Sequence, residues 1–163
     1  MEELRYPLHH EVYIFRYSEE HGLDPFVVMG LIRAESSFRQ DAVSPVGARG
    51  LMQIMPETAA WLAEPGRLDI DGHSADRLFD PAYNIRMGTF YLNMLLEMFT
   101  VPDTAFAAYN AGMGNVSRWL ENPAYSDDGI NLHTIPFPET RNYVERVNQF
   151  AETYRKLYGD LHG

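Results

Sequence analysis

Apolar positions along this chain repeat every three or four residues, and the alternation a strand needs is nearly absent, so the pattern predicts an all-α fold. A first helix is expected from Leu8 to His21, with Leu8, Val12 and Phe15 turned inward and Gly22 as its C-terminal cap. In "DPFVVMGLIRAE", Asp24 supplies an N-cap and Pro25 the first helical position, and the residues after them are apolar on nearly every face as far as Arg33. A helix of that kind belongs at the centre of a core. Residues Arg39 to Gly50 carry Ser44-Pro45, Gly47 and Gly50 and read as a loop, after which "MPETAAWLA" restarts a helix near Pro56.

Glu64 to Asp80 is polar and is read as a loop within the domain rather than a linker. Asp80-Pro81 repeats the cap signal and opens a long helix to about Phe99, with Ile85, Leu92, Leu95, Leu96 and Phe99 at core spacing. "DTAFAAYNAG" predicts a short helix ended by Gly112, and "NVSRWLE" another. A second long loop, Asn122 to Phe137, precedes an amphipathic closing helix with Val144, Val147, Phe150, Tyr154 and Leu157 inward. Neither an internal repeat nor a low-complexity tract interrupts this order, so one domain over 1–163 is expected.

Composition adds exclusions. With 163 residues, 45% of them hydrophobic, the chain can bury a real core. Its 13 Lys+Arg against 23 Asp+Glu give a formal net charge of -10, the wrong sign for a partner bound through phosphates, so nucleic acid is not expected. A polyanionic ligand would need a groove with specific local contacts. There is no cysteine, which removes disulfide and thiolate chemistry. No apolar run is long enough for a membrane span, and "MEELRYPLHHE" lacks the pattern of a signal peptide, so any export signal or anchor is expected upstream of this chain.

One residue stands out chemically. Glu35 lies where the apolar helix ends, beside buried surface and near the negative end of the helix dipole, and both effects disfavour its anion. An acid held protonated in this way can give a proton to a poor leaving group such as a glycosidic oxygen. Position alone favours the plainer reading, an ordinary polar residue marking the helix end. The other acids have plainer explanations: Asp24 and Asp80 as caps, Glu57 and Glu139 as first-turn charges after a proline, Asp41 as a solvated loop charge. No second catalytic carboxylate is evident, which for a glycosidase departs from the two-acid scheme and leaves substrate-assisted chemistry open.

His9, His10, His21, His73, His133 and His162 show no ligand spacing, and "DIDGHSAD" lacks the EF-hand register, so no metal site is expected. "AAYNAGMGNV" has two readings. Its small residues and glycines suit a buried turn, while Tyr109 and Asn110 are the phenol and amide that a sugar-binding cleft uses.

Taken in order, "ESSF" at Glu35 to Phe38, "SPVGARGLMQIMP" at Ser44 to Pro56, "AYNAGMGNV" at Ala108 to Val116 and "IPFPETRNYV" at Ile135 to Val144 resemble the catalytic domain of soluble lytic transglycosylases, with "DPAYNIRMGTFYL" at Asp80 to Leu92 as a weaker fifth block. The resemblance runs from about Tyr6 to Tyr158 and implies a lysozyme-like helical domain with a substrate groove. It implies Glu35 as sole catalytic acid/base, cleaving peptidoglycan glycan strands between N-acetylmuramic acid and N-acetylglucosamine to leave 1,6-anhydromuramyl ends. Ser44, Gln53, Met55, Tyr91, Ala108, Tyr109, Asn110, Glu139 and Tyr143 would line the cleft, Tyr91 and Tyr143 also fitting the core faces of their helices. No cofactor is implied; a monomer working outside the cytoplasm is expected. The loops Glu64 to Phe79 and Glu121 to Thr134 cannot be tied to the family. A hydrolytic muramidase on the same fold, or a non-catalytic wall-binding module, remain as alternatives.

Overall fold

The computed structural model describes residues 5–162; the two ends of the expected 1–163 domain and the His162 side chain lie outside the described residues. Seven α-helices are present among them: α1 Glu11–His21, α2 Pro25–Ser36, α3 Pro56–Leu62, α4 Pro81–Phe99, α5 Pro102–Ala111, α6 Met113–Leu120 and α7 Pro138–Tyr158. Short 3-10 turns occupy Ala75–Phe79 and Gly159–His162. Extended pairing among the described residues is confined to isolated bridges, Val43 with Arg49 and Arg49 with Ile54.

The helix starts follow from the chain chemistry. Proline, whose missing N–H costs nothing in the first turn, stands in the first turn of α2, α3, α4, α5 and α7. The Asp24 carboxylate accepts from the Phe26 N–H at 2.9 Å, and Asp80 does the same for Tyr83 at 2.9 Å. Gly22, at φ 66°, closes α1, with the Leu23 N–H reaching the Ser18 carbonyl. The start of α1 is a correction to the expected Leu8. His10 adopts a left-handed conformation at φ 62°, so regular helix begins only at Glu11. The inward face is Ile14 and Ser18, while Val12 is 71% exposed.

α2 is the central helix. Val28, Met29, Leu31 and Ile32 are fully buried, each contributing about 1.5–3 kcal/mol by the usual area bookkeeping. α2 packs chiefly on α7, and the two backbones meet at Gly30, where a Cβ would stand 2.7 Å from both the Ala151 nitrogen and the Val147 carbonyl oxygen. Only glycine fits there. The long helices α4 and α7 otherwise present the expected faces, except that Leu96, Phe150 and Leu157 are half-buried rather than enclosed. Within the loop before α4, the 3-10 turn buries Leu78.

Asn84 on α4, fully buried, ties the loop after α2 to the body of the domain. Its oxygen accepts from the Met52 N–H at 2.8 Å, and its amide nitrogen donates to the carbonyls of Arg49 at 3.0 Å and Leu78 at 2.9 Å. Removing it leaves the buried Met52 N–H and Leu78 carbonyl without partners, while the Arg49 carbonyl keeps the Ile54 N–H at 3.1 Å. Asn84→Ala is expected to cost about 3 kcal/mol and to lower Tm by roughly 10 °C in thermal unfolding followed by circular dichroism. An unchanged Tm would show that the loop does not depend on this tie.

Candidate active site

The four residues "ESSF" carry the chain out of α2 and into the loop that follows. Glu35 is the penultimate residue of the helix and is half-buried. The buried Ser36 hydroxyl donates to the Leu51 carbonyl at 2.7 Å, which draws the following loop back over the helix end. Ser37 and Phe38 both have left-handed backbones, at φ 52° and 63°, and stop the helix. Phe38 then drops into the core against Tyr154, ring centroids 5.7 Å apart.

The loop that comes next is held closed by its own polar groups. The Ser44 hydroxyl accepts from the Ala48 N–H at 3.0 Å. The Gln53 amide nitrogen donates to the Ala42 and Gly50 carbonyls at 3.1 and 2.9 Å, which leaves its side-chain oxygen for the cleft. Gly50, at φ 79°, has no room for a side chain beside Asn84 and the Leu78 carbonyl. From α5, the Tyr109 hydroxyl donates to the Met52 carbonyl at 2.7 Å, and the Asn110 side-chain oxygen accepts from Thr140 on α7 at 2.8 Å.

These ties enclose a cavity of about 240 Å³. Glu35 and Glu139 stand on it together with Ser44, Gln53 and Met55 from the loop and Tyr109 with Asn110 from α5. A second cavity, about 350 Å³, shares Gln53, Met55, Tyr109 and Asn110 with the first and adds Thr58 and Tyr91, so the two are compartments of one cleft. Two residues expected to line the cleft do not reach its surface. Ala108 is fully buried, its carbonyl taken by the Gly112 N–H at 2.8 Å; Tyr143 is 1% exposed and sits in the core behind Glu35. Val46, Ala48, Ile54 and Thr58 line the cleft without having been singled out from sequence. Val46, an exposed apolar residue in a glycine loop, is the one among them with a readable signal.

Electrostatics favour a protonated Glu35. Burial is the main cause and lifts its pKa to about 8; the Tyr143 hydroxyl and the Arg146 charge act against burial, and the Glu139 charge acts with it. Its place at the C-terminal end of α2 adds to the same upward push. The Tyr143 hydroxyl is buried and closes no hydrogen bond of good geometry in the free protein. Burial, then the nearby Glu35, drives the phenols of Tyr109 and Tyr143 well above their usual range, so both stay protonated.

Together, a bundle of helices and a buried central helix that delivers one carboxylic acid to an open cleft define a lysozyme-like all-α domain. The model of the transglycosylase SLT domain matches residues 12–131. The chain therefore belongs to that family. It is 39% identical over 161 residues to the soluble lytic murein transglycosylase of Escherichia coli K12, covering 97% of this chain and 25% of that protein. Among solved structures, an inactive glutamate-to-glutamine mutant of the lytic transglycosylase Slt from Pseudomonas aeruginosa superposes with a TM-score of 0.84 at 36% identity, over 96% of this chain and 25% of that one. The 70 kDa soluble lytic transglycosylase of Escherichia coli gives 0.83 at 38% identity, over 96% of this chain and 26% of that one. The chain thus spans about a quarter of the length of these relatives.

Proposed function

We propose that this chain is a single catalytic domain that cuts the glycan strands of peptidoglycan by lytic transglycosylation. The observation that carries the reading is Glu35, an acid with a raised pKa standing on a cavity that opens into a longer cleft. Protonated Glu35 gives its proton to the oxygen between C1 of N-acetylmuramic acid and the following N-acetylglucosamine, and the C1–O bond breaks. The C6 hydroxyl of the same muramyl residue then bonds to C1 and returns its proton to Glu35. No water is consumed and the acid is regenerated. The activities named for the relatives support this chemistry, as does the cleft's mixture of apolar walls and polar groups.

Ser44, Gln53, Met55, Tyr91, Tyr109 and Asn110 are proposed to hold the strand, Gln53 and Asn110 through amide atoms that the loop ties leave free. Because peptidoglycan lies outside the cytoplasm, so does the proposed site of action. No helix among the described residues is long and apolar enough to cross a membrane.

Glu139 favours one competing reading. It puts a second carboxylate on the Glu35 cavity, where a water could be activated for hydrolysis. Mass spectrometry of fragments released from purified peptidoglycan separates the two. Transglycosylation yields anhydro ends, whereas hydrolytic products are one water, about 18 Da, heavier. Hydrated ends as the main product would replace the first reading by the second.

A further inference from the structure

Beyond the compartment that holds Glu35, the cleft continues to a tryptophan that neither the core nor the catalytic reading accounts for. Trp61, on α3, is 36% exposed. A lone exposed apolar residue needs no explanation, but this one is held in place. The Arg67 guanidinium stacks on the indole, 4.1 Å from the ring centroid, and its Nε donates to the Trp61 carbonyl at 2.5 Å. Glu64 pairs with the same guanidinium at 2.5 Å. The indole N–H, by contrast, makes no hydrogen bond among the described residues.

This braced ring forms one wall of a cavity of about 320 Å³, whose other walls are Glu57, Thr58, Tyr91 and Met113. Thr58 and Tyr91 also line the neighbouring compartment, which in turn shares Gln53 and Tyr109 with the compartment of Glu35. The three spaces are consecutive along one groove.

We propose that Trp61 is a carbohydrate platform, a distal subsite for amino-sugar units of the strand that lie away from the bond being cut. The inference rests on the glycan reading above and extends it to α3, which beyond Pro56 lies between the blocks that carry the family resemblance, and to Arg67 in the loop that follows. Pyranose rings present flat C–H faces that pack on an aromatic plane, while their hydroxyl and acetamido edges need partners. The Glu57 carboxylate, the Thr58 hydroxyl and the free indole N–H supply acceptors and donors at that spot. Met113 and Tyr91 complete an apolar floor. Bracing by Arg67 keeps the indole from having to be ordered when sugar arrives, so little of the contact energy is lost to ordering.

Calorimetric titration of the full chain with short and with long N-acetylglucosamine oligomers tests the subsite without requiring turnover. Affinity is expected to rise with length until the strand reaches Trp61, and Trp61→Ala to bind the long oligomer about tenfold more weakly, with a much smaller effect on the short one. Trp61→Phe, which keeps an aromatic face, should recover most of the loss, and Arg67→Met, which removes the brace, should fall between. Equal affinity of Trp61→Ala and the unaltered protein for the long oligomer would overturn the proposal, as would the same weakening at every length. Binding through Trp61 with no fragments released from peptidoglycan would sink the catalytic reading and leave the subsite standing. Anhydro fragments with oligomer binding indifferent to Trp61 would do the reverse.

Discussion

Glu35→Gln is expected to lower release of soluble fragments from peptidoglycan by roughly 10²–10⁴-fold, the usual worth of a positioned acid/base, while binding of glycan strands is largely kept. The amide has the size and polarity of the protonated acid but can neither give a proton to the leaving oxygen nor take one from the C6 hydroxyl. In transglycosylation the same carboxyl serves both halves of the reaction, so its loss stops both. A turbidity assay on purified peptidoglycan, paired with a pull-down on the insoluble polymer, reads both properties. If the variant released fragments at the unaltered rate, Glu35 would not be the acid. If neither protein released any while both bound, the domain would be a binding module.

The second large effect is on pH. With its pKa at about 8, Glu35 holds its proton through neutrality and loses it above that point. Activity should therefore fall about tenfold per unit once the pH is well past 8, with the fold intact by circular dichroism. A rate that stayed level to strongly alkaline pH would contradict the role. The same shift affects stability with a definite sign. Between the ordinary glutamate pKa of 4.5 and about 8 the folded chain keeps a proton that the unfolded chain releases, so stability falls as pH rises through that window. Below it the effect is absent, and above it the full cost, a few kcal/mol at most, is present. Glu35→Gln escapes this cost, so its advantage in Tm over the unaltered protein should grow from acid pH to pH 8 and then level off.

How much of this was legible beforehand depends on whether the signal is local. Asp24-Pro25, Asp80-Pro81, Gly22 and Gly112 each mark a helix end through their own backbone chemistry, and the helices end there. The apolar spacing failed at the first helix because His10 takes a left-handed turn that no apolar pattern announces. Glu35 was readable because the helix that presents it is apolar all round. Asn84 was not, since its role is to satisfy carbonyls and an N–H from distant loops, and an asparagine inside a helix looks unremarkable. Glu139 read by its own position is a first-turn charge and joined the expected cleft only through the family blocks; the packing of α7 on α2 is what brings it to the Glu35 cavity. Ala108 and Tyr143 carried the family pattern yet lie beneath the cleft surface, because a sequence block does not distinguish the wall of a groove from the layer supporting it.

The contact at Gly30 also decides how much of this chain can be moved as a working part. The segment matched by the family model, residues 12–131, stops before α7, yet α7 is the bed on which the acid-bearing helix lies. A fragment cut at that limit would keep Glu35 but lose both the surface that buries it and Tyr143. Its carboxyl would then be expected to ionise like any solvated glutamate. Any graft of this chemistry onto another scaffold has to carry the chain through Tyr158, with a residue no larger than glycine where the two helices touch.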